Sequence, residues 1–426
     1  MENSADDRKR NRLCIKRKVM QKRNILKIGT LFSGIGAFEE ALRQLNIPHE
    51  IKFACDNGEV EFFPIEKQER WEFKRLEKRV KSLEGDELER YNNLRIKIDS
   101  VLEHIKKYAL CLDNKVELNR YISRVYKLYG ADHENRMKKA YFANYKIKEE
   151  DFYTDVRFLN GRLYENDIDI MVGGSPCQSF STYGKKRGLD DTRGTLFYDY
   201  ARIISEVKPK IFIYENVRGL LTHDNKKTWP IMLEVWNSLG YKVRWDILNA
   251  ADYNHPQNRY RLFLIGFRSD IYNKEYSFPC KKELTHKSFE YLDPSPVADK
   301  YYLGKKGFDW VTDKNKNQNK TRYNRDIIGC ETANQQFNWI GDLRVESPAP
   351  HHYNNPDIYI GELEGKPAVA RKMTPMECLR LMGFDDTFNI VVDDKEAYRQ
   401  AGNSIVVPVL KEIIKSLSSY IDSIML

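Results

Sequence analysis

The sequence has no long apolar run and no closely paired cysteines. No stretch approaches the ~20 apolar residues that a membrane-spanning helix needs, so we expect no membrane contact. The seven cysteines are scattered, without a Cys-x-x-Cys pair or histidines at zinc spacing, and we therefore expect no metal. Their odd number, with no signal peptide, favours a reducing compartment, which predicts a cytoplasmic protein.

Positive charge is in excess along the chain. The formal net charge is +9 and the sequence pI is about 8.9, which favours a polyanionic partner. Basic residues concentrate in a tail over residues 1–24. This tail suits either a solvated, disordered segment or an arm that contacts phosphates, and both interpretations stay open.

Residues 26–45 have the pattern of a strand, a glycine turn and a helix. Gly34 and Gly36 allow a sharp turn, and a second strand-like run ends at Asp56. This unit predicts the start of a Rossmann-like sheet, in which a ligand approaches the glycine turn and an acid binds ribose hydroxyls.

A charged segment over about 59–138 interrupts the strands. Its apolar residues recur at helical spacing, and capping patterns predict helix starts at Asp86 and Asn114. We expect two or three helices inserted into the sheet domain. The insertion either packs on itself or forms an arm that binds the DNA backbone or a partner, and its mixed charges favour the first interpretation.

Strand and helix patterns alternate again up to residue 267, which predicts an α/β fold with a mostly parallel sheet. Residues 25–267 would form this domain. Residues 268–370 are rich in Tyr, Asn, Lys and Pro and predict a smaller, loop-rich domain. Helical periodicity returns in 371–426, which we expect to pack back on the sheet.

Chemically capable side chains follow the predicted strand ends. Cys177 follows a strand and two glycines, Glu215 lies at the end of the next predicted strand, and Arg259 and Arg261 open a later one. A nucleophile, an acid and two arginines at one edge of a sheet indicate a reaction site rather than a core.

With these residues in place, the chain resembles the cytosine-carbon-5 DNA methyltransferases. Six sequence blocks carry the resemblance, in the family's order: TLFSGIGAFE (30–39), GSPCQSFS (174–181), ENV (215–217), QNRYR (257–261), RKMTPMECLRLMGF (371–384) and GNSIVVP (402–408). The resemblance covers roughly 26–58, 139–267 and 371–420. It implies a methyltransferase domain dependent on S-adenosylmethionine.

The resemblance implies a catalytic role for four residues. The thiolate of Cys177 would add to carbon 6 of cytosine and make carbon 5 reactive. Glu215 would stabilise the adduct at ring nitrogen 3, for which a raised pKa is useful. Arg261 would contact the base carbonyl and orient Glu215, while Arg259 would brace the catalytic loop or a phosphate.

Ten residues are implied in binding S-adenosylmethionine. Phe32 would stack on the adenine, Asp56 would hold the ribose hydroxyls, and Asp155 would accept from the adenine amine. Asn403 and Ser404 would line the methionine end. The other implied residues are Gly34, Ile35, Gly36, Pro176 and Leu196. The insertion splits the motif that follows Asp56, which leaves open which residues there touch the adenosine.

The implied substrate is double-stranded DNA, bound by a monomer associated with the nucleoid. The target cytosine must be flipped out of the duplex. A glycine-rich basic loop before Leu196 would close over the DNA, with contacts from Gln178, Ser181, Lys185 and Arg193. Unassigned residues within 268–370 would read base edges. A cognate restriction endonuclease, acting separately, is a further expected partner.

Two other functions are compatible with the motifs. A relative of this family methylates a tRNA cytosine with the same site, but the large segment 268–370 argues against it. A catalytically silent DNA-binding regulator is the other, and the intact Cys177, Glu215 and Arg261 argue against that.

Overall fold

The computed structural model describes residues 25–130, 134–176, 196–313, 315 and 321–425. Among these residues the strands are β1 (Leu26–Leu31), β2 (His49–Cys55), β3 (Phe152–Tyr153), β4 (Ile170–Gly173), β5 (Ile211–Val217), β6 (Tyr241–Asn249), β7 (Tyr260–Arg268), β8 (Thr321–Tyr323), β9 (Gly341–Glu346), β10 (Gly361–Leu363) and β11 (Lys366–Arg371).

The helices of the described residues are α1 (Ala37–Gln44), α2 (Lys67–Glu77), α3 (Gly85–Cys111), α4 (Lys115–Tyr129), α5 (Arg136–Asn144), α6 (Leu196–Val207), α7 (His223–Lys226), α8 (Thr228–Ser238), α9 (Lys305–Thr312), α10 (Gln335–Asn338), α11 (Pro375–Leu381), α12 (Asp394–Asn403), α13 (Val407–Ser416) and α14 (Ser418–Met425). Short 3-10 turns join several of them. None of these helices is long and apolar enough to cross a membrane.

Seven strands form a central sheet in the order β3-β2-β1-β4-β5-β7-β6. The pairs from β3 to β5 are parallel, whereas β7 is antiparallel to both β5 and β6. The prediction of a Rossmann-like, mostly parallel sheet is confirmed. The antiparallel β7 places its first residues beside the last residues of β5, so Arg261 pairs with Val217.

Both faces of the central sheet are covered, because consecutive strand residues point to opposite sides. Ile28, Ile170 and Ile211 pack with α1, α11, α13 and α14 in one buried cluster. Leu31, Met171 and Phe212 pack on the other side with α6 and α8. The final helices therefore contribute to the core of the central sheet.

The insertion leaves the sheet after β2 and returns before β3. Part of it packs on itself, in a cluster formed by the segment before α2, by α2 and by the first half of α3. The rest does not: Ile105 and Ala109 of α3 and Ile122 of α4 belong to the core of the central sheet. The two ends of the insertion meet, since Asn135 Nδ2 donates to the carbonyl of Asp56 at 2.7 Å.

A second sheet of four strands, in the order β10-β11-β9-β8, lies within residues 321–371. Helix α9 covers it, and Phe308 and Val311 of that helix pack on Leu343 and Ala368 of the strands. The guanidinium of Arg371 at the end of β11 is 1% exposed and pairs with Glu346 and Glu377. This buried triad fixes the second sheet to α11.

Candidate active site

The strand end at β4 lies against the strand end at β5 without room for a side chain between them. A Cβ on Gly174 would lie 2.2 Å from the carbonyl oxygen of Glu215, so only glycine fits there. Ser175 shares a hydrogen bond of 2.7 Å with the Tyr214 hydroxyl, and Asn216 Nδ2 donates to the Ser175 carbonyl at 2.8 Å. These contacts fix the backbone two residues before Cys177.

Glu215 and Arg261 meet at this edge. Arg261 Nε lies 3.1 Å from Glu215 Oε1, and both side chains are largely buried. Burial raises the pKa of Glu215 above its ordinary value, although Arg261 and Arg259 oppose the shift. The predicted orienting contact from Arg261 to Glu215 is present.

Arg259 points inward rather than toward solvent. Its guanidinium donates to the carbonyls of Glu331, Gly402 and Ser404 at 2.6, 2.9 and 2.7 Å. The residue is only 4% exposed, which does not suit the predicted phosphate contact. Instead, Arg259 joins the central sheet to the segment around Glu331 and to the end of α12. Gly402 is required in this joint, because a Cβ there would lie 2.3 Å from the backbone of Thr332 and Ala333.

A pocket of about 1320 Å³ lies at the carboxyl ends of β1 and β2. Five of the ten predicted cofactor residues line it: Phe32, Asp56, Asp155, Pro176 and Leu196. The other five are absent from its lining, which is formed by described residues. Ile35, for example, is 1% exposed and lies in the core beneath the glycine turn.

Asp56 is organised by the backbone around it. Its Oδ2 accepts from the amide of Gly34 and its Oδ1 from the amide of Gly58, both at 2.8 Å. Burial raises the pKa of Asp56, and these two amides oppose the shift. A carboxylate has about four acceptor sites, so each oxygen can accept one more hydrogen bond from a ligand.

Asp155 is more heavily engaged. Its oxygens accept from the Arg157 side chain at 2.6–3.0 Å and from the Arg157 amide at 2.9 Å. The Tyr126 hydroxyl donates to it at 2.7 Å. A ligand in the pocket therefore meets an Asp155–Arg157 pair rather than a lone carboxylate. Sequence reasoning missed Arg157 and Tyr126. The only available signal was the place of the insertion, between the acids Asp56 and Asp155.

Asn403 and Ser404 lie at the end of α12. Asn403 Nδ2 donates to Glu59 Oε1 at 3.0 Å, and Glu59 lines the pocket. Ser404 is 8% exposed and its carbonyl accepts from Arg259. Ser404 thus contributes its backbone to the joint around Arg259.

The remaining predicted residues are not described by the structure. Cys177, Gln178, Ser181, Lys185 and Arg193 lie outside the described residues, as do the tail 1–24 and residues 316–320.

One group of side chains has metal-ligand spacing. Donor atoms of Asp299, His351 and His352 lie within 4.8 Å of one another. However, His352 Nδ1 accepts from the amide of Ala349 at 3.1 Å, which leaves the proton of the neutral ring on Nε2. His352 is therefore unsuited to ligate a metal in this arrangement.

Comparison with known proteins identifies a family. The profile described as C-5 cytosine-specific DNA methylase matches residues 120–419. Type II methyltransferase M2.ScrFI of Lactococcus lactis subsp. cremoris is 31% identical over 402 residues, which are 92% of this chain and 99% of that protein. M1.ScrFI of the same organism is 37% identical over 266 residues, 61% of this chain; the match spans just under two thirds of the relative, 66%.

Solved structures share the fold. The S. pombe Dnmt2 methyltransferase has a TM-score of 0.56 at 17% identity, covering 93% of this chain and 99% of that one. The Entamoeba histolytica methyltransferase EhMeth has a TM-score of 0.56 at 16% identity, covering 93% and 98%.

Proposed function

Since the chain belongs to the C-5 cytosine-specific DNA methylase family, and is thus a DNA (cytosine-5)-methyltransferase, we propose that it methylates a flipped-out cytosine through a covalent adduct with Cys177. The Glu215–Arg261 pair carries this proposal. It lies beside the backbone of Gly174 and Ser175, which leads directly to Cys177. An acid, its orienting arginine and the start of the nucleophile's loop thus share one strand edge.

The proposed chemistry assigns one task to each of these groups. The Cys177 thiolate adds to carbon 6, which makes carbon 5 nucleophilic. Glu215 delivers its proton toward ring nitrogen 3 as negative charge develops there, and Arg261 holds Glu215 in place and contacts the ring carbonyl. After methyl transfer, the proton on carbon 5 is lost to a base, the thiolate leaves carbon 6, and ring nitrogen 3 returns its proton to Glu215.

We propose S-adenosylmethionine as the methyl donor, bound in the pocket at β1 and β2. When bound it supplies an electrophilic methyl group. The residues fit it: each Asp56 oxygen has one acceptor site left for a ribose hydroxyl, and the Phe32 ring lines the pocket for adenine. Asp155 contributes through its pair with Arg157.

The substrate we propose is duplex DNA, with residues 268–370 as the target-recognition region and Lys185 and Arg193 contacting the DNA. The target base must be flipped, since carbon 6 is inaccessible in the base stack. We further propose that the enzyme acts as a monomer at the nucleoid. The named Type II relatives support pairing with a separate restriction endonuclease.

Transfer of a tritiated methyl group to duplex DNA tests the proposal. Wild-type protein should label DNA, and excess unlabelled tRNA should not compete. Cys177→Ala should abolish labelling. Label that survives this substitution contradicts the covalent route, and label that follows tRNA contradicts the substrate.

Glu215→Gln isolates the role of the acid. Because Gln cannot deliver a proton, kcat should fall about 10²–10⁴-fold, while the affinity for S-adenosylhomocysteine stays unchanged. Glu234→Gln, on the exposed surface of α8, is the control and should keep full activity. An unchanged kcat for Glu215→Gln would remove Glu215 from the mechanism.

A further inference from the structure

The insertion forms a large part of the cofactor pocket. Of the 23 residues that line the pocket, 11 belong to the insertion. They come from the segment after β2, including Phe62, and from one face of α3, including Ile96 and Glu103. An element that only packed on itself would not contribute half of this wall.

Tyr126 connects the insertion to the polar group of the pocket. This residue of α4 is absent from the pocket lining, whereas Asp155 and Arg157 are both present in it. The Tyr126 hydroxyl therefore supports Asp155 from outside the pocket, at 2.7 Å from Oδ2. Its ring packs 4.8 Å from that of Phe62, and Phe62 lies 5.4 Å from the Arg157 guanidinium.

The charges on these groups are consistent with a fixed orientation. Burial alone would raise the pKa of Asp155, but the Arg157 charge and the hydrogen bonds from Arg157 and Tyr126 outweigh it, so the pKa lies below its ordinary value. Burial and the nearby Asp155 carboxylate raise the pKa of Tyr126. Tyr126 thus remains a proton donor to an ionised Asp155.

We propose that Tyr126 is a positioning residue for cofactor binding, which makes the affinity for the adenosine group dependent on the insertion. The proposal rests on the proposed function, because it takes the pocket at β1 and β2 as the cofactor site. Tyr126 and Phe62 hold the Asp155–Arg157 pair in one geometry, and the adenosine group binds against that pair.

Calorimetric titration with S-adenosylhomocysteine tests the proposal without any turnover. Tyr126→Phe keeps the ring contact with Phe62 and removes only the hydroxyl. The Kd should rise about three- to tenfold, because the ligand must then order an Asp155 side chain that the hydroxyl no longer holds. Tyr121→Phe is the matched control, because Tyr121 lies on the same helix and its ring contacts Tyr108 at 4.7 Å. Its Kd should equal that of the wild type.

Steady-state kinetics separate positioning from a general loss of structure. In Tyr126→Phe the KM for S-adenosylmethionine should rise with the Kd, while the KM for DNA and kcat at saturation stay unchanged. Wild-type protein that fails to bind S-adenosylhomocysteine contradicts the proposed function and this inference together. Wild-type binding with an unchanged Kd in Tyr126→Phe contradicts the inference alone, as does an equal rise in Tyr121→Phe.

Discussion

The insertion and the second-sheet region attach to the same central sheet in different ways. Besides its residues in the sheet core, the insertion makes the Tyr126–Asp155 contact and the Lys106–Asp199 ion pair, both beside the pocket at β1 and β2. The second-sheet region is joined near Glu215, where Arg259 binds the Glu331 carbonyl and Gln257 accepts from the Glu331 amide. Each added part therefore lies against a different half of the proposed reaction site.

The two joints also differ in how deeply their polar contacts are buried. The hydrogen bonds from Arg259 to the carbonyls of Glu331, Gly402 and Ser404 are all buried, so removal of the guanidinium leaves three buried acceptors without this donor. Much of the charge on the insertion is exposed, as in the Lys97–Glu69 pair. Exposed ion pairs contribute little to stability, because solvent screens them. We therefore expect substitutions at the joint near Glu215 to lower the free energy of unfolding more than substitutions at the joint of the insertion.

Substitution of Arg259 should have the largest effect. Arg259→Met leaves three buried carbonyls without a donor, and the free energy of unfolding should fall by about 3 kcal/mol or more. Urea unfolding measures the change. Arg244→Met removes an arginine whose side chain is 41% exposed and should change stability by less than about 0.5 kcal/mol. Equal losses of unfolding free energy in the two variants would mean that the buried Arg259 contributes no more to stability than an exposed arginine.

Glu331 should make the same joint sensitive to pH. Burial raises the pKa of this carboxyl from 4.5 to about 8. Between these values the folded protein binds a proton that the unfolded chain releases, so stability falls as pH rises, by about 1.4 kcal/mol per unit. Glu331→Gln removes this slope. The unfolding free energy of the variant minus that of the wild type should therefore increase from pH 5.5 to 7.5. A difference that stays constant over this range contradicts the expectation.

The joint of the insertion should respond more weakly. Lys106→Met removes the closer of the two ion pairs of the buried Asp199 carboxylate, leaving Arg202 at 3.5 Å, and should lower the unfolding free energy by about 1–3 kcal/mol. Lys97→Met, on the same helix, removes an exposed pair and should leave the urea midpoint unchanged. A larger loss from Lys97→Met than from Lys106→Met would reverse the comparison.

The sequence predicted the parts of the fold that depend on local pattern. Apolar runs indicated β4 and β5, and two glycines marked the end of β4. Asn114 does cap α4, accepting from the amides of Val116 and Glu117. A helix also starts where the Asp86 pattern predicted one, but its first residue is Gly85 and no side chain caps it, so the predicted capping role of Asp86 was wrong. Local signals decide such features only where tertiary contacts do not override them.

Contacts between distant residues could not be predicted. The hydroxyl of Tyr126 reaches Asp155 across 29 residues of sequence, and Arg259 reaches Ser404 across 145. No periodicity encodes such pairs. The resemblance brought Glu215 and Arg261 together because both belong to its motifs, whereas Tyr126 lies in a segment that has no counterpart among those motifs.

The meeting of Asn135 with Asp56 has a consequence for how this chain can be altered. Because this hydrogen bond closes the insertion into a loop, both ends of the insertion lie at one point beside β2. The entropic cost of closing a loop also rises only by about 0.6 kcal/mol for each doubling of its length. The part of the insertion that packs on itself, from the segment before α2 to the first half of α3, can therefore be exchanged for a longer or shorter helical unit. The residues around Ile105, Ala109 and Ile122 must be kept, because they belong to the core of the central sheet.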